Sequence, residues 1–261
     1  MKIIAIVFTL IFIISATYLI IEYFVARKEF SEYSKIQTDF ASIPMIEIHS
    51  SDEKYHLETD PLPYLRIDFG ALLRENPDTV GWLHIPDTLI SYPVVQTTNN
   101  SKYLDTSFLG TRSSAGAVFA DMNNDVKAPD QNVVLYGHNM GSGRKDMFGT
   151  LLEYKDHAHY DTHRYVQFDT IYAQHGWWKI FAVVNHDIRN TNWNYLQLKF
   201  ETQDDFLVWI SQARALSLHY TDTILQADDQ ILTLSTCDRS IYGKDGRLVI
   251  LAVKIEGDEN I

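Results

Sequence analysis

A single cysteine and an arginine ten residues after it are the residues best suited to nucleophilic chemistry. Cys237 is the only cysteine in the chain and ends the run Thr233-Leu-Ser-Thr-Cys237. This run is typical of a strand, and Arg247 opens the next predicted strand. If the two strands pair antiparallel, the thiol and the guanidinium meet at one end of the sheet. Strand alternation places the thiol on the same face as Ser235, which favours a hydroxyl-bearing cleft wall.

A nucleophilic thiol requires a partner, because a thiol with an ordinary pKa is only slightly ionised at neutral pH. His138 is the best placed of the ten histidines, since Tyr136-Gly-His-Asn-Met140 directly follows a predicted strand. Each residue alone has a simpler interpretation. Cys237 could be a small buried apolar residue, and Arg247 a surface residue in an ion pair. A permanently charged arginine in a site would instead hold an oxyanion or orient a carbonyl group.

Composition limits the classes of function. A chain of 261 residues that is 46% hydrophobic can bury one substantial core. The formal net charge of −12 argues against a nucleic-acid partner. One cysteine permits no intramolecular disulfide and no cysteine-based metal motif. His157, His159 and His163 lie beside acidic residues, but they are more typical of a polar loop. We therefore predict no metal and no cofactor.

The amino terminus is predicted to be a membrane anchor formed by residues 1–24. Residues 3–21 carry no charge and are preceded by Lys2. A helix of that length nearly matches the hydrocarbon core of a bilayer. A cleaved signal peptide is the alternative, but the apolar run is longer than usual and no small-x-small cleavage site follows it. We expect a single-pass protein of the cell membrane with its amino terminus inside and its carboxyl domain extracellular.

The remaining residues predict a mainly β domain at 63–261, after a helical or linker lead-in at 25–62. A short helix is predicted from Ile67 to Glu75 with Asp68 as its N-cap. Eight apolar runs bounded by turn residues predict strands at 80–85, 89–95, 117–120, 132–136, 165–168, 176–184, 231–237 and 247–253. Many short strands with few helices favour a closed or nearly closed eight-stranded barrel with peripheral helices.

One longer helix is predicted late in the chain. Thr202 and Asp205 have the spacing of a capping box at its start. An apolar stripe with helical periodicity follows, and we expect it to pack into the core: Phe206, Trp209, Ile210, Ala213 and Leu216.

Together these motifs resemble the sortases, the membrane-anchored cysteine transpeptidases of Gram-positive bacteria. Thr233-Leu-Ser-Thr-Cys237 matches the TLxTC signature, and His138 and Arg247 fall where that family places its other two catalytic residues. The resemblance covers about residues 63–255 and includes segments 80–86, 92–96 and 116–121. The helix-bearing segment between the last predicted strands, and the helical lead-in, resemble those of class B sortases.

The resemblance implies a β-barrel of the sortase type and a thiol protease-like mechanism. Cys237 would attack the carbonyl after a threonine in a sorting signal and form a thioester. Arg247 would stabilise the oxyanion, and His138 would transfer protons. The partners would be a secreted protein with a carboxyl-terminal sorting signal and an amine of peptidoglycan or its lipid-linked precursor. We find no acidic cluster that matches the calcium site of some class A members.

Four further residues are candidates for substrate binding. Asn100 and Leu104 match the class B pattern at the start of a helix that would contact the sorting signal, although a helix cap and a core leucine explain them equally well. Ser235 faces the same side as the thiol and could bind the substrate backbone. Asp238 could adjust His138 or Arg247, or could only cap the turn that follows Cys237.

Other functions remain open at this point. An anchored cysteine peptidase or amidase would hydrolyse its substrate, although the papain-like kind usually has cysteine before histidine along the chain. A pilin-polymerising sortase would use a lysine of another pilin as acceptor. A non-catalytic surface scaffold would keep Cys237 buried and inert.

Overall fold

The computed structural model describes residues 2–42, 64–141, 143–172 and 175–255. The chain divides into two compact units, Met1–Asp39 and Phe40–Ile261. Residues 43–63, which include the second half of the predicted lead-in and the first residue of the predicted domain, lie outside the described residues.

Helix α1 (Lys2–Phe40) accounts for the first unit and continues without a break past the predicted end of the anchor at residue 24. It contains an 18-residue window of mean hydropathy 2.7, so it is long and apolar enough to cross a membrane by length and composition.

The second unit is built on a closed barrel, which confirms the predicted mainly β fold. Ten strands occur in the described residues: β1 (Ala41–Ser42), β2 (Arg66–Ile67), β3 (Thr79–His84), β4 (Ser91–Val95), β5 (Val118–Ala120), β6 (Asn132–Tyr136), β7 (Tyr165–Thr170), β8 (Trp177–Asp187), β9 (Ile231–Cys237) and β10 (Gly246–Lys254). Strands β1 and β2 form a separate ribbon, and the other eight close in the order β10-β8-β7-β3-β4-β5-β6-β9. Closure leaves none of these eight barrel strands as an edge strand.

Helices lie around the barrel. They are α2 (Phe69–Glu75), α3 (His157–Thr162), α4 (Gln203–Leu216) and α5 (Arg239–Tyr242), with 3-10 turns η1 (Lys102–Leu104), η2 (Gly149–Lys155) and η3 (Gly243–Asp245). Asp68 caps α2 as predicted, since its carboxylate accepts a hydrogen bond from the Ala71 N–H at 2.8 Å.

Helix α4 covers one side of the barrel. The predicted capping box is present, with Thr202 and Asp205 bonded to each other's backbone N–H groups. Phe206, Trp209 and two further members of the predicted stripe are buried against β8, β9 and β10. The prediction that Leu216 packs into the core is wrong. Leu216 is the last residue of the helix, and it is 44% exposed.

Two pairings decide where the chemistry can occur. Strand β9 pairs antiparallel with β10 and parallel with β6. The carboxyl ends of β6 and β9 and the amino end of β10 therefore lie at the same end of the barrel. Cys237, Arg247 and the residues that follow Tyr136 converge there.

Candidate active site

The nucleophile and the cation are fixed by strand register. Cys237 and Arg247 are direct partners in the β9–β10 pair, and both are partly exposed. Beyond this pair the ladder continues with a hydrogen bond of 3.1 Å from the Asp238 N–H to the Gly246 carbonyl. A Cβ atom on residue 246 would collide with the Asp238 carbonyl oxygen, so this close approach requires glycine.

Three hydrogen bonds join the end of β6 to the end of β9. The Gly137 N–H donates to the Ser235 carbonyl at 3.4 Å, and the Thr236 hydroxyl donates to the Gly137 carbonyl at 2.8 Å. The Asn139 side-chain amide donates to the Cys237 carbonyl at 2.9 Å. His138 lies between two of these anchored residues, so its backbone is held beside the strand that carries the thiol.

The His138 ring is also held. Its Nε2 lies 2.7 Å from the Leu104 carbonyl oxygen. A carbonyl oxygen can only accept, so Nε2 carries the hydrogen and Nδ1 is the nitrogen left for other chemistry. The His138 carbonyl accepts a hydrogen bond of 2.9 Å from the Phe148 N–H, which anchors the loop that follows.

Local hydrogen bonds orient the Arg247 guanidinium. Its Nη1 donates to the Gly246 carbonyl at 2.8 Å and to the Lys244 carbonyl at 3.1 Å. Its Nε and Nη2 groups have no partner in the part of the chain that the structure describes, so they can donate to a bound anion or carbonyl oxygen.

One cleft of about 420 Å³ contains all three residues. Its walls combine the predicted residues Cys237, His138, Arg247, Asn100, Leu104 and Ser235 with Phe119, Tyr136, Gly137, Ile188, Tyr195, Leu196 and Thr236. A cleft of this size, mostly apolar with a few convergent polar groups, suits an extended peptide segment.

Sequence analysis did not identify several of the residues that line this cleft. Ile188, Tyr195 and Leu196 lie in the connection that follows β8, where no motif or periodicity marks a binding surface. Tyr136 packs against Phe119 with ring centroids 5.2 Å apart and also lines the cleft.

Asp238 does not line the cleft. Its side chain is 5% exposed and forms an ion pair with Lys155, and it accepts a hydrogen bond of 3.0 Å from the Ser240 N–H at the start of α5. Burial by itself would raise the pKa of this carboxyl group, but the hydrogen bonds from Lys155 and Ser240 outweigh burial and lower it. The structure therefore gives Asp238 the capping role that the sequence left open.

The other predicted binding residues do line the cleft, but the side chains of Asn100 and Ser235 already have protein partners. Asn100 lies before η1, and its side-chain amide donates to Asp121 at 2.9 Å and accepts from the Met122 N–H at 2.7 Å. Leu104, in η1, is 44% exposed. The Ser235 hydroxyl is buried and donates to the Tyr195 hydroxyl at 3.2 Å.

Two tyrosines remain protonated in the wall of the cleft. Burial raises the pKa of Tyr136, and its hydrogen bond to Asp121 raises that pKa further. Burial likewise raises the pKa of Tyr195, while the hydrogen bond from Ser235 and the charge of Arg247 lower it. At neutral pH both side chains are hydroxyl groups rather than phenolates.

In the described residues no group of three or more His, Cys, Asp or Glu side chains is arranged to hold a metal ion. The His157 ring lies against Tyr160 and His219, and the His159 ring lies against Tyr154. His159 and His163 stack with centroids 4.1 Å apart.

Known proteins share sequence and fold with this chain. The Sortase domain family model matches residues 83–255. Sortase B of Staphylococcus aureus is 27% identical over 252 residues, covering 97% of this chain and 95% of that protein. Sortase B of Listeria monocytogenes is 32% identical over 186 residues, covering 71% and 73%. A crystal structure of sortase B from Bacillus anthracis superposes with a TM-score of 0.70 at 29% identity, covering 91% of this chain and all of that one.

Sortases are cysteine transpeptidases of the cell envelope that act on sorting-signal proteins and cell-wall precursors. The family match spans most of the barrel, including the strand that ends at Cys237. This chain belongs to the sortase family and is similar to sortase B.

Proposed function

We propose that this protein cleaves a sorting signal after threonine and transfers the resulting acyl group to an amine of the cell wall. The observation that carries the proposal is the single cleft containing Cys237, His138 and Arg247. The family relationship supports the reaction class, and the cross-strand pairing of Cys237 with Arg247 supports the division of roles.

In the first half-reaction the Cys237 thiolate attacks the threonine carbonyl carbon and forms a C–S bond. The tetrahedral oxyanion accepts hydrogen bonds from the free N–H groups of Arg247. The C–N bond then breaks, and the His138 imidazolium gives its proton to the departing amine. The products are a thioester on Cys237 and the carboxyl-terminal fragment of the substrate.

In the second half-reaction an incoming primary amine attacks the thioester carbonyl. Neutral His138 accepts a proton from that amine, the C–S bond breaks and the Cys237 thiolate is released. The acceptor is the amino group of a peptidoglycan cross-bridge or of its lipid-linked precursor. The donor is a secreted protein with a carboxyl-terminal sorting signal.

We further propose that residues 1–24 anchor the enzyme as a single-pass protein, with the catalytic domain (63–261) extracellular and residues 25–62 leading into it. The apolar part of α1 supports this arrangement by its length and hydropathy. Cell-wall substrates and acceptors would then lie on the same side of the membrane as the cleft.

A peptide cleavage assay with and without an added amine tests the reaction. The wild-type domain is expected to cleave threonine-containing sorting peptides and to form an amide product when triglycine is supplied. Cys237→Ala is expected to abolish both activities, and His138→Ala and Arg247→Ala to reduce each at least about 100-fold, as loss of a proton-transfer group or an oxyanion donor typically does.

The same assay distinguishes the alternatives. Release of a free carboxylate with no amide product at saturating amine would indicate a hydrolase. Transfer only to a lysine side chain, and never to a glycine amine, would indicate a pilin-polymerising enzyme. Full activity of Cys237→Ala would exclude the thioester mechanism.

A further inference from the structure

A buried carboxylate lies behind the substrate face of the cleft, outside the catalytic residues. Asp121 follows β5 and is 6% exposed. Its backbone N–H donates to the Val134 carbonyl at 2.9 Å, and its carbonyl accepts from the Gln96 side chain at 2.8 Å. The position of the residue is therefore fixed independently of its carboxylate.

The carboxylate accepts four hydrogen bonds, all from neutral groups. Oδ2 accepts from the Asn100 amide at 2.9 Å and from the Tyr136 hydroxyl at 2.7 Å. Oδ1 accepts from the Asn123 N–H at 2.8 Å and the Asn123 side-chain amide at 3.1 Å. In the described part of the chain no lysine or arginine forms an ion pair with Asp121. Burying a carboxylate without a counter-ion is costly, so this arrangement points to a use for the charge.

The Oδ2 atom of Asp121 determines which hydrogen-bonding groups Tyr136 and Asn100 present to a ligand. The Tyr136 hydroxyl has one hydrogen, and that hydrogen points to Asp121, so its oxygen presents only acceptor lone pairs to the cleft. Asn100 donates one amide hydrogen to Asp121 and accepts from the Met122 N–H, which fixes which end of its amide is nitrogen. Its second amide hydrogen remains for a ligand.

We propose that Asp121 is a positioning residue that sets the hydrogen-bond polarity of the peptide-binding face through Asn100 and Tyr136. One acceptor and one donor side by side match the N–H and C=O groups of an extended peptide backbone. This inference rests on the proposed function, because it assigns that polarity to the same peptide substrate.

The test measures kcat/KM for peptide cleavage in Asp121→Ala and Asp121→Asn, each alone and in an Asn100→Ala/Tyr136→Phe background. In the wild-type background Asp121→Ala is expected to lower kcat/KM about tenfold or more, the effect of losing hydrogen bonds to a charged group. Asp121→Asn is nearly isosteric and is expected to retain the fold. The single side-chain oxygen of the asparagine can accept hydrogen bonds either from Asn123 or from the Asn100–Tyr136 pair. The loss of kcat/KM is therefore expected to be smaller than in Asp121→Ala.

The double background separates positioning from general destabilisation. If Asp121 acts through Asn100 and Tyr136, replacing Asp121 in the Asn100→Ala/Tyr136→Phe background is expected to change kcat/KM less than about twofold. The alkylation rate of Cys237 by a small neutral reagent is expected to remain within about twofold of wild type in every variant. Asp125→Ala is the matched control, since Asp125 lies in the same segment and is exposed, and within the described residues its carboxylate accepts hydrogen bonds only from the Lys127 and Ala128 N–H groups.

Equal losses in both backgrounds, or no loss in either, would overturn the role of Asp121. A wild-type domain that cleaves no peptide would instead remove the proposed function and this inference with it.

Discussion

Cys237 and Arg247 are direct cross-strand partners at the open end of the β9–β10 pair. Their separation is therefore set by sheet register rather than by a flexible loop. A slip of one residue would send the guanidinium to the opposite face of the sheet. The Gly246 close approach and the Asp238–Gly246 hydrogen bond hold that register at the position where the strands diverge.

Arg247→Lys tests whether a positive charge at this position is sufficient for thioester formation. Lysine keeps the charge but lacks the planar set of N–H groups, so we expect thioester formation to fall at least about tenfold below wild type. Stopped-flow or quenched-flow measurement of the first half-reaction reports this rate. Arg239→Lys, an exposed substitution in α5, is the control and is expected to be neutral. A wild-type rate in Arg247→Lys would reduce the role of Arg247 to its charge.

The ion pair between Lys155 and Asp238 is expected to stabilise the segment after the nucleophile. Lys155→Met leaves a buried carboxylate without its cation and is expected to cost about 3 kcal/mol of unfolding free energy at pH 7. Adding Asp238→Asn removes the unpaired charge and is expected to recover at least half of that loss. Urea denaturation of the single and double variants measures both values. A double variant as unstable as Lys155→Met would contradict the ion-pair explanation.

The stability contributed by the Lys155–Asp238 ion pair is expected to decrease at acidic pH. The folded state lowers the pKa of Asp238 below its ordinary value of 3.8, so its contribution to stability is present above pH 3.8 and is lost on further acidification. The difference in stability between wild type and Lys155→Met is therefore expected to shrink as the pH falls below about 4. A difference that stays constant from pH 7 to pH 3 would count against this linkage.

His84 makes a second contribution to the pH profile, with the same sign as that of Asp238 but in a higher pH range. Burial lowers the pKa of this histidine from 6.5 to about 4. Between these values the unfolded chain binds a proton that the folded chain does not, so stability falls as the pH decreases from 6.5 to 4. The loss is expected to reach about 2–3 kcal/mol, and no contribution is expected above pH 6.5. His84→Gln should remove this part of the slope in denaturant titrations; an unchanged slope would show that other groups cause it.

Both Trp209 and Leu216 on helix α4 were predicted to be buried, and the structure confirms this for Trp209 but not for Leu216. Trp209 is 3% exposed and donates to the Asn194 carbonyl at 2.8 Å, whereas Leu216 is 44% exposed. Trp209→Ala is expected to cost about 3–5 kcal/mol and Leu216→Ala less than about 1 kcal/mol. Thermal or urea unfolding gives both values. Similar losses at the two positions would mean that Leu216 packs in solution as the sequence periodicity implied.

The strands and the pairing of Cys237 with Arg247 were predictable because they depend on local pattern. Alternation and β-branched runs located the eight barrel strands, and the short connection between Cys237 and Arg247 implied their antiparallel pairing. The Thr202–Asp205 box is similarly local and was found from spacing alone.

Contacts between distant segments were not predictable. Ile188 lines the cleft in a connection held by its N–H bond of 3.0 Å to the Asp245 carbonyl, and no sequence pattern encodes that contact. The carboxylate of Asp238 could have faced the cleft, but Lys155 in η2 binds it away from the cleft lining. Both outcomes depend on tertiary packing rather than on local propensity.

The most direct test of the central claim is mass spectrometry of the purified catalytic domain after incubation with threonine-containing sorting peptides. We expect a covalent adduct on Cys237 whose added mass corresponds to the amino-terminal peptide fragment in thioester linkage, and whose loss is accelerated by triglycine. No adduct is expected in Cys237→Ala. The absence of an adduct across such peptides, with peptide cleavage still occurring, would contradict a thioester intermediate on Cys237.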